Sequence, residues 1–295
     1  RVFVTGASGG IGSAVVAELI TSGHEVLGLA RSERSAQVIT TAGASVLRGT
    51  IDDAAALAAG ADQTDGVINL AFSNDFTDFE RGIAEEAFAL ETLGAALAGT
   101  GKPLIIASGT PATPGRPSTE QDVAPTEGPV SGRNRNARAV LDLAAKGVRS
   151  GVVRLPRSVH ERGVAYGFAG MLIAAARRTG VAGYVGDGSQ RWPAVHRRDA
   201  ASLFRLLLEQ AEPGTVAHAV ADEGDTMRSL AETIGQQLGV PVEPVPRESF
   251  GFLGQVFAAD QPSSSARTRE RFGWEPIHPS LLEDLQAGDY PATEG

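Results

Sequence analysis

The 295-residue chain has 42% hydrophobic residues, a formal net charge of −9 and no cysteine. That length allows one large domain, or a domain with a smaller lobe, around a sizeable buried core. The acidic balance argues against a general nucleic-acid binder, and the missing cysteine excludes disulfides, thiolate metal sites and a cysteine nucleophile.

The predicted elements alternate through the first half. Strand-like runs at Val2–Val4, Glu25–Leu29, Ser45–Leu47, Gly66–Leu70, Leu104–Ala107 and Gly151–Leu155 are separated by helix-period segments. Those segments are Ile11–Ile20, Glu33–Thr40, Ala54–Ala59, Phe79–Ala98 and Asn134–Ala145. The alternation predicts an α/β fold, a doubly wound parallel sheet with helices on both faces. The strands are short and apolar, as strands buried on both faces should be. The second half is less regular. It predicts a helix at Tyr166–Arg178, a strand at Gly183–Val185, a helix at Asp199–Glu209, a strand at Val216–Val220 and a helix at Met227–Leu238. Val240–Pro246 reads as extended chain because of its prolines, and helices follow at Glu248–Ala258, Ser263–Phe272 and Pro279–Gln286. No apolar run reaches the roughly 18–20 residues that span a bilayer, and Val2–Val4 leads straight into glycines rather than into a signal-peptide pattern. The expectation is a cytoplasmic protein without a membrane partner.

The first strand runs into Thr5-Gly6-Ala7-Ser8-Gly9-Gly10-Ile11-Gly12 and a helix pattern. Glycines at positions 6, 9 and 12 permit a tight turn and close backbone approach, and the helix N-terminus faces a pyrophosphate. This points to a dinucleotide held by Gly6, Ser8, Gly9, Gly10, Ile11 and Gly12. The second strand ends in Ala30-Arg31-Ser32, with no carboxylate to accept from a ribose 2′-hydroxyl. Arg31 suits a 2′-phosphate and Ser32 can donate to it, so the expected cofactor is NADP(H). Ile51 and Asp52 follow the third strand; Asp52 either accepts from the adenine amino group or caps the next helix.

Thr5-Gly6-x-x-Gly9-x-x-Gly12 resembles the motif of extended short-chain dehydrogenases/reductases, the NAD(P)-dependent epimerase/dehydratase-like group. Val67-Ile68-Asn69-Leu70-Ala71 resembles that family's fourth strand, Ile105-Ile106-Ala107-Ser108-Gly109-Thr110 its fifth and Val153-Arg154-Leu155-Pro156 its sixth. Gly186-Asp187-Gly188, followed by Val195-His196-Arg197-Arg198-Asp199-Ala200-Ala201, resembles its late segment. The resemblance implies a Rossmann domain over residues 1–155, also receiving about residues 190–222. Residues 156–189 and 223–295 would form a smaller mixed substrate-binding lobe. It implies that Leu70, Ala71, Phe72, Leu155 and Pro156 line the cofactor. It also implies a small-molecule substrate and a homodimer.

The family's chemistry uses a Tyr-x-x-x-Lys pair on the helix after the fifth strand, together with a serine or threonine. The tyrosines here are Tyr166, Tyr184 and Tyr290, none of them on that helix. Counting from Thr119-Glu120 places Ser131 at the tyrosine position and Arg135 at the lysine position; a two-residue slip gives Pro129 and Arg133. An arginine can hold a ribose but cannot shuttle a proton, and a serine hydroxyl is a poor acid. Thr110 matches the active-site hydroxyl, with Ser108 as the alternative. Three residues are candidates to replace the proton donor: Tyr166 and His160 after the sixth strand, and His196 further on. Tyr166 equally suits packing, His160 a loop hydrogen bond and His196 a structural role near a helix start. Arg177, Arg178, Arg191, Arg197 and Arg198 could clamp a diphosphate, and Trp192, Phe168, Phe250, Phe252 and Phe257 could wall an apolar substrate. No metal site is expected, because the five histidines are scattered and His196 with Asp199 makes only one pair. The expected function is an NADPH-dependent reductase of a carbonyl or conjugated double bond, with a non-standard proton donor. The alternatives are a non-catalytic NADP(H)-sensing binding protein and a nucleotide-sugar-type epimerase or dehydratase.

Overall fold

The computed structural model describes residues 1–73, 78–127 and 131–291, the side chain of Phe252 excepted. In chain order the first elements are β1 (Val2–Thr5), α1 (Gly10–Thr21), β2 (Val26–Ala30), α2 (Glu33–Thr41), β3 (Ser45–Arg48) and α3 (Ala54–Asp62). Next come β4 (Gly66–Asn69), α4 (Phe79–Leu97), β5 (Pro103–Gly109), α5 (Ser131–Asp142) and β6 (Arg149–Leu155). They are followed by β7 (Ser158–His160), α6 (Phe168–Thr179), β8 (Ala182–Val185), β9 (Arg191–His196), α7 (Arg197–Gln210) and β10 (Thr215–His218). The last are β11 (Asp222–Thr226), α8 (Met227–Leu238), β12 (Val242–Val245), α9 (Gly254–Ala258), α10 (Ala266–Phe272) and α11 (Leu281–Ala287).

The chain forms two compact units. The first holds Arg1–Ser108, Pro125–Arg154 and Ala201–Ala217; the second holds Gly109–Ala124, Leu155–Ala200 and the chain from His218 onward. In the first unit a seven-stranded sheet runs in the order β10-β6-β5-β4-β1-β2-β3. The pairings that join β1 to β2 and β4, β2 to β3, and β4 to β5 are all parallel. β1, β2 and β4 are buried along their whole length, which explains their unbroken apolar runs. Phe3, Leu27, Leu57, Val67, Leu90, Leu93, Leu104 and Ile106 share one core. The strand order reverses about β1, which has β4 on one side and β2 on the other. In open α/β sheets such a reversal opens a crevice beyond the carboxyl ends of the strands, where ligands bind.

The second unit carries the smaller mixed sheet, β11-β9-β7, with β7 parallel and β11 antiparallel to β9. A separate parallel pair joins β12 to β8. Trp192 and Phe257 are fully buried here, with Phe168 and Phe250 packed on Phe257 at 5.7 and 5.1 Å between ring centres. Trp192 and Phe257 are core, while Phe168 and Phe250 are half-buried; the Phe252 side chain lies outside the described residues. β7, β9 and β11 were not expected. β11 reads Asp-Glu-Gly-Asp-Thr and carries no apolar signal; its ladder to β9, bulged between Asp222 and Asp225, makes it a strand. The helix expected at Glu248–Ala258 is broken at Gly251, whose φ of 57° is left-handed, so a 3-10 turn precedes α9.

Candidate active site

In the first unit the turn after β1 is built from close backbone contacts. Gly6 has φ of 65°, and a Cβ there would lie 2.7 Å from the Ala71 amide nitrogen. A Cβ on Gly12 would lie 2.0 Å from the Gly6 carbonyl oxygen. No other residue fits either position. The contact at Gly6 also presses the end of β4 against the glycine turn, and Thr5 reinforces it. Its hydroxyl donates to Asn69 Oδ1 at 2.7 Å and accepts from the Ala71 amide at 3.3 Å. Gly9 caps α1 without a side-chain hydrogen bond, and the positive end of the helix dipole there suits an anion. This cradle of close backbone and absent Cβ atoms at a helix N-terminus fits a dinucleotide pyrophosphate.

Around it the expected cofactor residues are placed as follows. Arg31 is exposed just beyond β2. Ser32 is the N-cap of α2: its hydroxyl accepts from the Ser35 amide at 3.2 Å, and its carbonyl accepts from Arg48 Nη1 at 3.1 Å. Its first task is therefore to start a helix. The cap of α3 is Asp53, accepting from the Ala56 amide at 3.0 Å, and not Asp52, which takes the Thr50 hydroxyl. Ile51 packs on the core, and Ala71 and Phe72 are half-buried beyond β4.

At the start of α5 the two candidate arginines are placed differently. Arg135 is exposed and donates to the Thr126 carbonyl and to Ser131 Oγ, at 3.0 and 2.9 Å. Arg133 instead faces the sheet. Its Nη2 donates to the Ala107 carbonyl of β5 at 3.2 Å, and its guanidinium lies 4.0 Å from the centre of the Phe72 ring. Nη2 and Nε also donate to Glu86 of α4, at 2.8 and 3.4 Å. Nη1 has no hydrogen-bond acceptor among the described residues. Arg133 thus stands between the ends of β4 and β5 with a free pair of donors. The reason for the difference is helical phase: an offset of two residues turns a side chain by more than half a turn. Pro129, its partner in that register, lies outside the described residues. Ser131 and Ser108 are buried in this unit.

In the second unit Thr110 is buried, and its amide donates to the Leu155 carbonyl at 3.0 Å. Gln261 donates to the Thr110 carbonyl and lies 3.4 Å from Thr110 Oγ1. Pro156 is buried and Leu155 half-buried. Arg157 packs over Trp192 and donates to the Ala259 carbonyl and Gln261 Oε1, at 3.1 and 2.6 Å. Burial pulls its pKa down to about 9.

The expected proton donors are enclosed. Tyr166 is 2% exposed, and its hydroxyl reaches the Asp284 and Asp289 carbonyls at 3.4 and 3.3 Å. Burial raises its pKa, which makes the phenol harder to ionise. His160 is fully buried, with Nδ1 2.7 Å from Asp284 Oδ2. Burial lowers its pKa despite that carboxylate, so the ring is neutral at pH 7 and donates through Nδ1. His196 is pulled down to about 4 by burial and by the neighbouring His278 and His160 rings.

His196 and Asp199 acquire a neighbour that sequence spacing did not reveal. One potential ligand atom from each of His196, Asp199 and His278 lies within 4.8 Å of the others. The donor set nevertheless does not fit a metal. Asp199 already accepts from His278 Nδ1 at 2.7 Å and from the Ile277 and His278 amides at 3.1 Å. The His196 and His278 rings stack 4.6 Å apart, inclined by 10°. An ion lying in one ring plane at bonding distance is then far out of the other. Asp199 is a latch on the 277–278 turn.

The cations expected to clamp a diphosphate are largely engaged. Arg191 is gripped by Asp260, with Nε and Nη2 at 3.1 and 2.8 Å from the two oxygens. Arg197 and Arg198 both pair with Glu161. Arg177 donates to the carbonyls of Pro291 and Tyr290 at 2.7 and 3.3 Å.

Residues 2–221 match the NAD dependent epimerase/dehydratase family. The chain belongs to that family, a branch of the extended short-chain dehydrogenases/reductases and so of an oxidoreductase superfamily. It is 42% identical to an uncharacterized protein of Saccharomyces cerevisiae, covering 97% of this chain and 98% of that one. It is 28% identical to 2′-dehydrokanamycin reductase of Streptomyces kanamyceticus, across 100% of this chain and 81% of that one. Its fold is similar to UDP-glucose-4-epimerase from Stenotrophomonas maltophila, solved with NAD and formylated UDP-arabinopyranose. The TM-score is 0.79, at 19% identity, over 98% of this chain and 97% of that one.

Proposed function

We propose that this protein is an NADPH-dependent oxidoreductase that reduces a carbonyl or conjugated double bond of a small organic substrate. The observation that carries the reading is the crevice of the first unit, where the glycine turn and the N-terminus of α1, exposed Arg31 and Nη1 of Arg133 suit one extended anion. The α1 amides take the pyrophosphate, Arg31 the 2′-phosphate and Arg133 the nicotinamide ribose. When bound, the cofactor supplies a hydride to the substrate carbon. The substrate oxygen accepts a hydrogen bond from the hydroxyl of Ser108 near the end of β5. Because α5 carries no tyrosine and Tyr166 and His160 are enclosed, the oxygen takes its proton from water. Hydride plus proton converts a ketone to an alcohol.

The relative named as a reductase favours this chemistry over epimerisation, and the engaged arginines of the second unit count against a diphosphate-bearing substrate. We place the protein in the cytoplasm, as a homodimer. The test is NADPH oxidation across a panel of ketones and enones, including oxidised aminoglycosides, followed at 340 nm. Turnover of at least one compound is expected; protein that neither binds nor oxidises NADPH would falsify the reading. NADPH bound without turnover of any compound supports the second reading, a redox-sensing binding protein, which the tyrosine-free α5 favours.

A further inference from the structure

Glu86 is a charged residue on the inward stripe of α4. Gly82, Ala89, Leu90, Leu93 and Leu97 share that stripe, spaced at the helical period from it. Its side chain is 4% exposed. A carboxylate so enclosed is costly unless it is paired and hydrogen-bonded. It has three donors. Arg133 Nη2 and Nε supply two, at 2.8 and 3.4 Å, and Asn136 Nδ2 the third, at 2.9 Å. Arg133 and Asn136 are three apart on α5 and so share one face. Asn136 is itself tied to the Ile83 carbonyl at 3.1 Å, which fixes α5 against α4 at this point.

These contacts define the guanidinium from three sides. Glu86 grips the Nε–Nη2 edge, the Ala107 carbonyl takes a second Nη2 proton, and Phe72 lies against the plane. The Nη1 amine remains for an external acceptor. We propose that Glu86 is a positioning residue for cofactor binding, holding Arg133 in the one orientation that presents Nη1 to a ribose hydroxyl. The proposal rests on the reading that a dinucleotide occupies the first unit's crevice. A lysine reaches such a hydroxyl as a flexible point charge; an arginine needs its fork aimed, and a buried carboxylate across the helix pair aims it. Neutralising Arg133 internally also leaves recognition to hydrogen bonding at Nη1 rather than to net charge.

The experiment is a double-mutant cycle on NADPH dissociation constants, with kcat and KM where turnover is found. E86A is expected to weaken NADPH binding about tenfold, and E86Q, which keeps one acceptor for the guanidinium, less than E86A. R133A is expected to lose at least as much. R133A/E86A should be no weaker than R133A, because Glu86 acts through that side chain. R133A leaves Glu86 buried without its counter-charge, so R133K serves as the variant that keeps it. Thermal melting separates folding from binding: a purely structural Glu86 lowers Tm while the folded protein binds NADPH as wild type does, and that result overturns the proposal. So does full additivity in the cycle. If wild type binds NADPH and neither R133A nor R133K changes its affinity, the ribose role of Arg133 falls as well. Wild type that binds neither NADPH nor NADH overturns the cofactor reading itself.

Discussion

Both units pair charges internally, but the candidate site residues of the two differ in what they leave over. In the first, charged groups beyond the strand ends keep donors in reserve: Arg31 and one edge of Arg133. In the second, Arg191 pairs with Asp260, Arg197 and Arg198 pair with Glu161, and neutral His160 hydrogen-bonds Asp284. A binding site for an anion must hold donors that the protein does not itself consume. On the proposed reading, cofactor recognition falls to the first unit, and the paired polar groups of the second serve as mechanical support.

The largest expected effect breaks the first unit. G12V puts side-chain atoms onto the Gly6 carbonyl, where even a Cβ would be 2.0 Å away. Dinucleotide binding by calorimetry should fall by at least about 100-fold, because the turn must open to admit it. The matching change in the second unit is D284A. It strands the His160 Nδ1–H and the Arg162 amide, both bonded to Asp284 Oδ2. Urea unfolding should show a loss of about 2–3 kcal/mol, with the NADPH affinity of the folded protein unchanged. Loss of affinity in D284A would erase the distinction between the units.

Smaller effects sharpen it. R31A should weaken NADPH binding about tenfold and leave NADH binding alone, since only the former carries the 2′-phosphate. The pH dependence of stability should come from the second unit. His196 is held near pKa 4 against an ordinary value of 6.5. Between those values the unfolded chain binds the extra proton, so stability falls as pH drops from 6.5 towards 4. Asp222 has the opposite sign. Burial raises its pKa from 3.8 to about 6, so its contribution is fullest below 3.8 and is lost as pH rises through 6. Urea midpoints across pH 4–8 should show that H196N is less sensitive to acid than wild type. D222N should gain on wild type as pH rises from 4 to 7.

What was legible in the sequence follows from how local each feature is. The glycine turn is legible because its geometry is written in eight consecutive residues, and the parallel sheet because its buried strands are uninterrupted apolar runs. The phase of α5 was not. Arg133 and Arg135 are equivalent by composition, and it is Arg133 that Glu86, 47 residues earlier, meets. A signal existed: Glu86 sits on the apolar stripe of α4, where a lone carboxylate needs a partner. The Asp199–His278 latch spans 79 residues and was equally invisible. β11 has no apolar residue at all and is a strand only because β9 supplies its ladder.

The most direct test of the account is a calorimetric titration of wild type and R133A with NADPH and with NADH. The account predicts that wild type binds NADPH about tenfold more tightly than NADH and that R133A weakens both nucleotides alike. Equal or stronger binding of NADH by wild type, or an R133A protein that binds NADPH as wild type does, would contradict it.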